Sequence, residues 1–357
     1  ILILGGTGAM GTYLVRLLSE LNNTLVVTSR SDRENCQNVT YVKGDALDLE
    51  FLKRIITNDW DVIIDFMIYK TADFQDRIDL FLKSCSQYIY ISSARIYADS
   101  VTPITEKSQR LLDISEDLDY LQTNEYSLIK ARQEDMLLSS KNNNWTIIRP
   151  YITYSDSRFQ LGIFEKEGWL YRAIKGRTIV IDKTTCEKIT TLTYGFDVAR
   201  TIANLAGKED ALGEIFNPVT DMSFKWESIL ILYLDIIEKK LKFRAKIKYV
   251  SDESLLDILP VVHQLKYDRH YNRVFENSKI DKYICTRTFT QIEDGLKLTL
   301  EQFLDNPKFG HISWRSEAIK DRQCNEYTPI SEIPNMKSRL IYLIYRNFYP
   351  VVKKILK

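Results

Sequence analysis

Ile1-Leu-Ile-Leu4 is apolar at every position, whereas the residues that follow Gly11 are apolar at 14, 17, 18 and 21. An unbroken short run suits a strand covered on both faces, and spacings of three and four suit one face of a helix. Thr24-Leu-Val-Val-Thr28, Asn38 to Val42, Asp61-Val-Ile-Ile-Asp65 and Tyr88-Ile-Tyr-Ile91 repeat the first pattern, with stretches between them that can be helical. Strands alternating with helices predict a parallel sheet with helices on both faces. Beyond residue 150 the apolar positions regroup into longer helix-like runs, Glu165 to Lys175 and Trp226 to Lys239, with short strands between. A chain of 357 residues exceeds what one core usually organises, so three parts are expected. These are a sheet domain over 1–150, to which segments near 189–217 return, a smaller C-terminal α+β substrate lobe over 151–310, and a C-terminal extension over 311–357.

Between the first strand and the first helix stands Gly5-Gly-Thr-Gly-Ala-Met-Gly11, whose glycines at 6, 8 and 11 have GxGxxG spacing. In this setting they let the chain turn tightly, let backbone N–H groups approach a pyrophosphate, and let the helix sit close to the sheet with its N-terminus toward the phosphates. The expected fold class is therefore α/β, a Rossmann doubly wound parallel sheet, with Gly5, Gly8, Ala9, Met10 and Gly11 around a dinucleotide. An acidic side chain at the end of the second strand would bind the ribose 2′-OH of NAD. Thr28-Ser-Arg-Ser-Asp-Arg33 offers Arg30 and Arg33 instead, cations able to pair with a 2′-phosphate, so NADP is expected in preference to NAD.

Tyr126-Ser-Leu-Ile-Lys130 sets a phenol and an ammonium on one face of a helix that runs on through Glu134 and Leu138. Ser92-Ser93 stand at the carboxyl end of a strand, where open α/β sheets gather their ligands. With these residues in view the chain resembles the extended short-chain dehydrogenase/reductase superfamily, and within it the NAD-dependent epimerase/dehydratase family. The likeness runs in order through the glycine turn, Gly44-Asp45-Ala-Leu-Asp48, Ile91-Ser-Ser-Ala-Arg-Ile-Tyr97, Pro103-Ile-Thr-Glu106, Tyr126…Lys130…Glu134 and Ile148-Arg-Pro150. Phe196-Asp-Val-Ala199, Phe216-Asn217 and Val274-Phe-Glu-Asn-Ser-Lys279 carry it to about residue 304.

The resemblance implies an epimerase or keto-reductase acting on a sugar or nucleotide-sugar, and a homodimer. Tyr126 would give or take a proton at the reacting oxygen while hydride moves to or from the nicotinamide. Ser93 would hydrogen-bond that oxygen, and Lys130 would favour the phenolate and hold the nicotinamide ribose. Asp45, with Ala46, would meet the adenine, and Lys70 would also contact the cofactor. Arg95 and Arg269 join Ser93 and Tyr126 as candidate substrate contacts.

The chain also departs from the family's pattern. Ala94 and Arg95 stand where 4,6-dehydratases carry an Asp-Glu pair, which argues against dehydration. Asp65-Phe-Met-Ile-Tyr69 is bulky where small residues usually face the cofactor. Ile152 and Thr190 replace an Asn and an Arg that commonly touch a nucleotide-sugar, and the long spacing from Ser93 to Tyr126 implies an inserted loop bordering the site.

Composition narrows the partners. Forty-nine basic and 48 acidic residues leave a net charge of +1, which gives no global field toward nucleic acid or an anionic membrane, so any charge-based partner must bind locally. The rival reading, a non-catalytic Rossmann protein that senses dinucleotides or binds RNA, is disfavoured by this neutrality and by the intact Ser93, Tyr126 and Lys130. Cys36, Cys85, Cys186, Cys285 and Cys324 are scattered without a CxxC and read as reduced, cytoplasmic thiols. His263, His270 and His311 show no ligand spacing for zinc, so no metal is expected. No stretch reaches the ~20 apolar residues that span a bilayer, and no signal-like core is present. The opening run lacks a Met, so a residue or a few are expected ahead of it. Met336 to Lys357 holds Lys337, Arg339, Arg346, Lys353, Lys354 and Lys357 and no acid, a basic amphipathic segment that suits peripheral membrane contact or packing on its own domain. Pro350 is expected to break or kink it.

Overall fold

A computed structural model describes residues 1–56 and 59–355. It contains β1 (Leu2–Leu4), β2 (Leu25–Ser29), β3 (Val39–Lys43), β4 (Trp60–Asp65), β5 (Cys85–Ile91), β6 (Trp145–Ile148) and β7 (Glu214–Phe216) in a single 7-stranded sheet. Their order is β7-β6-β5-β4-β1-β2-β3, every neighbouring pair parallel. This is the expected Rossmann arrangement, with its reversal of strand order at β1 and β4. The anticipated strands lie within a residue or so of the observed ones, except that β5 starts earlier because polar Ser86 and Gln87 interrupt its apolar pattern.

Leu2, Ile3 and Leu4 are fully buried because each face of the sheet has its own core. On one face Ile3, Val27, Ile64 and Ile89 meet Leu14 and Leu18 of α1 (Gly11–Glu20). On the other, Leu2, Leu4 and Ile63 meet Phe74, Phe81, Tyr88 and Tyr90. Helix α1 lies so close to the glycine turn that a Cβ on Gly11 would stand 2.6 Å from the Gly6 carbonyl carbon.

The chain divides into two compact units. The first joins Ile1–Ser155, Thr191–Ser223 and Arg273–Gly295, and so includes the sheet, α1, α2 (Tyr126–Leu138) and α3 (Gly195–Leu205). The second joins Asp156–Thr190, Phe224–Asn272 and the chain from Leu296 onward. Its strands Ile179–Asp182 and Ile247–Val250 pair in parallel, and Trp169 packs on Tyr233 of α4 (Trp226–Leu241) with ring centroids 4.6 Å apart. The helix expected over 165–175 is shorter: the chain turns at Glu165, where Gly168 N donates to its carbonyl, and is helical only over Leu170–Ile174.

Arg172 is fully buried in this unit and binds three acids, Glu317 at 2.9 Å and Asp321 at 2.7 Å on α5 (Trp314–Cys324), and Glu326 at 2.8 Å. Asp321 also accepts from Tyr342 Oη at 2.7 Å, which anchors α6 (Met336–Ile355). Contrary to expectation, Pro350 does not end α6. A proline lacks the N–H that would bond the carbonyl four residues earlier, and here Arg322 of α5 reaches that carbonyl, donating Nη1 to Arg346 O at 3.1 Å and to Asn347 O at 3.2 Å. Lys357, counted in the basic tail, lies outside the described residues. Among the described residues no helix is long and apolar enough to cross a membrane.

Arg322→Ala should therefore loosen the last turns of α6 by about 1 kcal/mol, raising amide hydrogen exchange there roughly fivefold while exchange in the sheet stays unchanged. Unaltered exchange in α6 would show that the helix carries Pro350 without this donor.

Candidate functional site

At the carboxyl ends of β1, β2 and β4 the first unit has a cavity of about 430 Å³. Gly5, Thr7 and Gly8 form one wall, Thr28, Ser29 and Arg30 a second, Gly44 to Leu47 a third, and Phe66, Met67 and Ile68 a fourth. The glycine turn is pinned to β2 by Gly5 N, which donates to Thr28 Oγ1 at 2.9 Å. Gly5 has φ +71°, a conformation that favours glycine. At Gly8 an added Cβ would meet nothing within 4 Å, so the missing side chain leaves the turn open to a ligand. Met10 precedes α1 without a side-chain cap on the helix start. An elongated phosphate-bearing ligand fits such a cradle: glycine backbone, an uncapped ten-residue helix and a cation at one side.

Of the residues expected at the cofactor, Gly5, Gly8, Arg30, Asp45 and Ala46 line this cavity. Arg30 is exposed, whereas Arg33 lies over the Tyr41 ring, 5.8 Å from its centroid. Asp45 turns on its own loop, accepting from Leu47 N at 2.9 Å, and Asp48 caps the next helix by accepting from Glu50 N. Gly11 and Ala9 support the turn from behind, where Gly195 comes within 3.0 Å of Ala9 O measured from an added Cβ. Lys70 is exposed and precedes the helix Thr71–Gln75. The bulky Phe66-Met67-Ile68 forms cavity wall, while Tyr69 turns into the core beneath it.

The second group of side chains gathers where β5 meets α2. Lys130 is buried and donates Nζ to Ile91 O at 2.8 Å, two residues before Ser93. Its Nζ lies 4.5 Å from the Tyr90 ring centroid and 6.0 Å from that of Tyr126. Ser93 is buried, and its Oγ accepts from Arg95 N at 3.2 Å. Arg95 pairs with Glu125 at 2.5 Å and places its guanidinium 5.2 Å from the Tyr126 ring centroid. Glu125, not recognised in the sequence, caps α2 by accepting from Ser127 N. The inserted loop carries Tyr120, whose hydroxyl meets Ser127 Oγ at 2.7 Å, so it folds back onto the start of α2.

Behind these groups several matched segments converge on one buried network. Glu134 receives Arg149 Nε at 2.9 Å and Nη2 at 2.6 Å, together with Ser92 Oγ. Arg149 Nη1 donates to Tyr97 Oη at 2.7 Å, and that hydroxyl donates to Asn217 Oδ1 at 2.9 Å. Glu106 closes the ring through Asn217 N and its own carbonyl, which accepts from Arg149.

A scan against family models matches residues 1–217 to the NAD dependent epimerase/dehydratase family. The chain belongs to that family. A curated family relative, chloroplast stem-loop binding protein of 41 kDa b from Arabidopsis thaliana, is 29% identical over 235 residues, 61% of this chain and 57% of that protein. The match thus spans little more than half the length of that relative. Among solved structures, the epimerase Mth375 of Methanothermobacter thermautotrophicus superposes with TM-score 0.65 at 17% identity, over 85% of this chain and 92% of its own. UDP-glucuronic acid 4-epimerase of Bacillus cereus, in complex with UDP-glucuronic acid and NAD, superposes with TM-score 0.60 at 15% identity, over 85% and 98%. These structural likenesses concern the fold of the family.

Arg269, a candidate substrate contact, lies in the second unit. It is buried, salt-bridged to Asp268, and donates Nε to Gly162 O at 2.7 Å, so its charge is engaged in holding that unit together.

Burial pulls the Lys130 ammonium down to about 8, against the opposing charges of Asp65 and Glu134. Burial also pushes the Asp65 carboxyl up to about 6, although Met67 N, Tyr88 Oη and the Lys130 charge favour its ionised form. Because the folded pKa of Lys130 lies below its unfolded value, the unfolded chain binds more protons between about 8 and 10.4. Lys130 consequently destabilises the fold by about 3 kcal/mol below pH 8, and this cost fades as pH rises through that window. The stability difference between Lys130→Met and the parent protein, from urea unfolding at pH 7.5 and pH 10, should shift by about 2 kcal/mol in the parent's favour at the higher pH. A difference that does not change with pH would contradict a depressed Lys130.

Proposed function

We propose that this chain is an NAD(P)-dependent epimerase or keto-reductase of a sugar or nucleotide-sugar, with NADP the preferred cofactor. What carries the reading is the gathering of Ser93, Tyr126 and Lys130 at the carboxyl end of β5, in the same unit as the glycine-walled cavity. Gly5, Gly8 and the start of α1 would hold the pyrophosphate, Asp45 and Ala46 the adenosine end, and Arg30 a 2′-phosphate. When bound, the nicotinamide supplies a hydride acceptor or donor for a carbinol or carbonyl carbon.

The chain's own residues handle the proton. Tyr126 exchanges it with the substrate oxygen, and Lys130, close to the Tyr126 ring, favours the phenolate through its charge. Ser93 Oγ, which accepts from Arg95 N, keeps its own O–H to donate to the same oxygen. Arg95, paired with Glu125 and lying over the Tyr126 ring, stands where dehydratases carry acids. This supports epimerisation or reduction over loss of water. The solved Bacillus cereus relative, bound to UDP-glucuronic acid and NAD, supports a nucleotide-sugar as the first substrate class to try.

Tyr126→Phe should lower turnover of UDP- and dTDP-sugars, followed by nicotinamide absorbance and product chromatography, by a factor of about 10² to 10⁴ while dinucleotide binding persists. Full activity in that variant overturns the assignment. Arg30→Ala should weaken NADPH about tenfold and leave NADH nearly unchanged in fluorescence titration. Equal loss for both would remove the argument for NADP.

A second reading, a non-catalytic protein that senses dinucleotides or binds RNA, draws on the plant relative named for stem-loop binding. The net charge of +1 weighs against phosphate-dominated binding. Binding of a stem-loop RNA without turnover of any sugar nucleotide would favour it.

A further inference from the structure

Helix α6 turns its apolar side outward. Leu340, Leu343, Ile344, Phe348, Val351 and Ile355 all stand in solvent, Phe348 at 61% and Ile355 at 77% exposure. Their spacings of one, three and four residues place them on one stripe, about 30 Å long for twenty residues. The opposite side carries Tyr342, Arg346 and Tyr349, which are buried against the second unit. The usual surface helix has the reverse arrangement, polar outside and apolar inside. Such a contiguous exposed stripe marks a contact surface.

Charge decides what covers it. The described helix has no acidic residue, and Lys337 and Lys354 are exposed on the apolar stripe near its two ends. The acids that meet the helix do so on the side that packs against the unit, where Asp321 accepts from Tyr342 and Lys353 holds Glu253 and Asp257. If two copies paired through α6 in antiparallel fashion, Lys337 of one would oppose Lys354 of the other. A parallel pair would set each lysine against its own copy, again with no acid on the helix to compensate. A bilayer bearing anionic lipids suits both features, since acyl chains accept the apolar stripe while headgroup phosphates accept the two snorkelling lysines.

We propose that α6 is an interfacial anchor that lays this protein on an anionic membrane surface without crossing it. This surface is independent of the dinucleotide cavity, which lies in the other unit.

The test is sedimentation of the full chain with vesicles of phosphatidylcholine, alone or mixed with phosphatidylglycerol. The chain should sediment with the mixed vesicles and not with the neutral ones, and high salt should release it. The double variant Leu343→Glu and Phe348→Glu should lower the bound fraction about tenfold, with NADPH binding by the first unit unchanged as the mark of a folded protein. Because both residues are exposed, the substitutions disturb no core. Lys337→Glu with Lys354→Glu should weaken binding in the same direction. Failure to sediment with anionic vesicles overturns the proposal, as does equal binding to neutral ones. Concentration-dependent self-association that the Leu343/Phe348 variant abolishes, without vesicle binding, would assign the stripe to a second copy and likewise overturn it.

Discussion

The first unit depends on a carboxyl group paired with arginine where water does not reach. Glu134 is fully buried in α2, and removing Arg149 would leave it only the longer contact to Arg110 at 3.6 Å, at a cost of about 3 kcal/mol. Arg149 belongs to the end of β6, Ser92 to the end of β5, and Asn217 and Tyr97 complete the ring. Two strands, a helix and the Glu106 loop are thus held in one register by charge-assisted bonds. Greasy contact alone, which tolerates sliding, would not specify that register so narrowly. Lys130 and Tyr126 sit about one and two turns upstream on the same helix, so their positions inherit this fixed register.

The same helix shows where the sequence was legible and where it was not. Strand runs such as Ile1-Leu-Ile-Leu4 are apolar at each position because both faces of the sheet are covered, and the glycine turn states its own geometry. These features carried the fold class and most of the cavity walls. Helix α2, by contrast, buries Ser127, Lys130, Gln133 and Glu134, so its hidden side does not look apolar. No periodicity argument could have found that face; only the ordered motifs located it. The ordered motifs included Glu134, Arg149 and Asn217 but gave no sign that the three share one network.

Two other residues owe their surroundings to distant parts of the chain. Pro350 looked like a helix breaker because the cost of its absent N–H is normally unpaid, and Arg322, distant in sequence, supplies the donor instead. Arg269, expected as a substrate contact, pairs with the adjacent Asp268 and donates to Gly162 O, a partner far away in the sequence. In each case a long-range hydrogen bond decided the outcome. Such bonds leave little trace in local pattern.

The first unit is threaded from three separated stretches, the last ending at Gly295. During translation the strands β1 to β6 emerge long before β7, so the edge of Trp145–Ile148 stays open until Glu214–Phe216 arrives to pair with it. The network around Arg149 likewise waits for Asn217. While the residues between 149 and 217 are being added, the nascent chain therefore carries an unsatisfied sheet edge and an arginine lacking part of its final surroundings, the period in which an unfinished α/β domain is most open to aggregation and to chaperones.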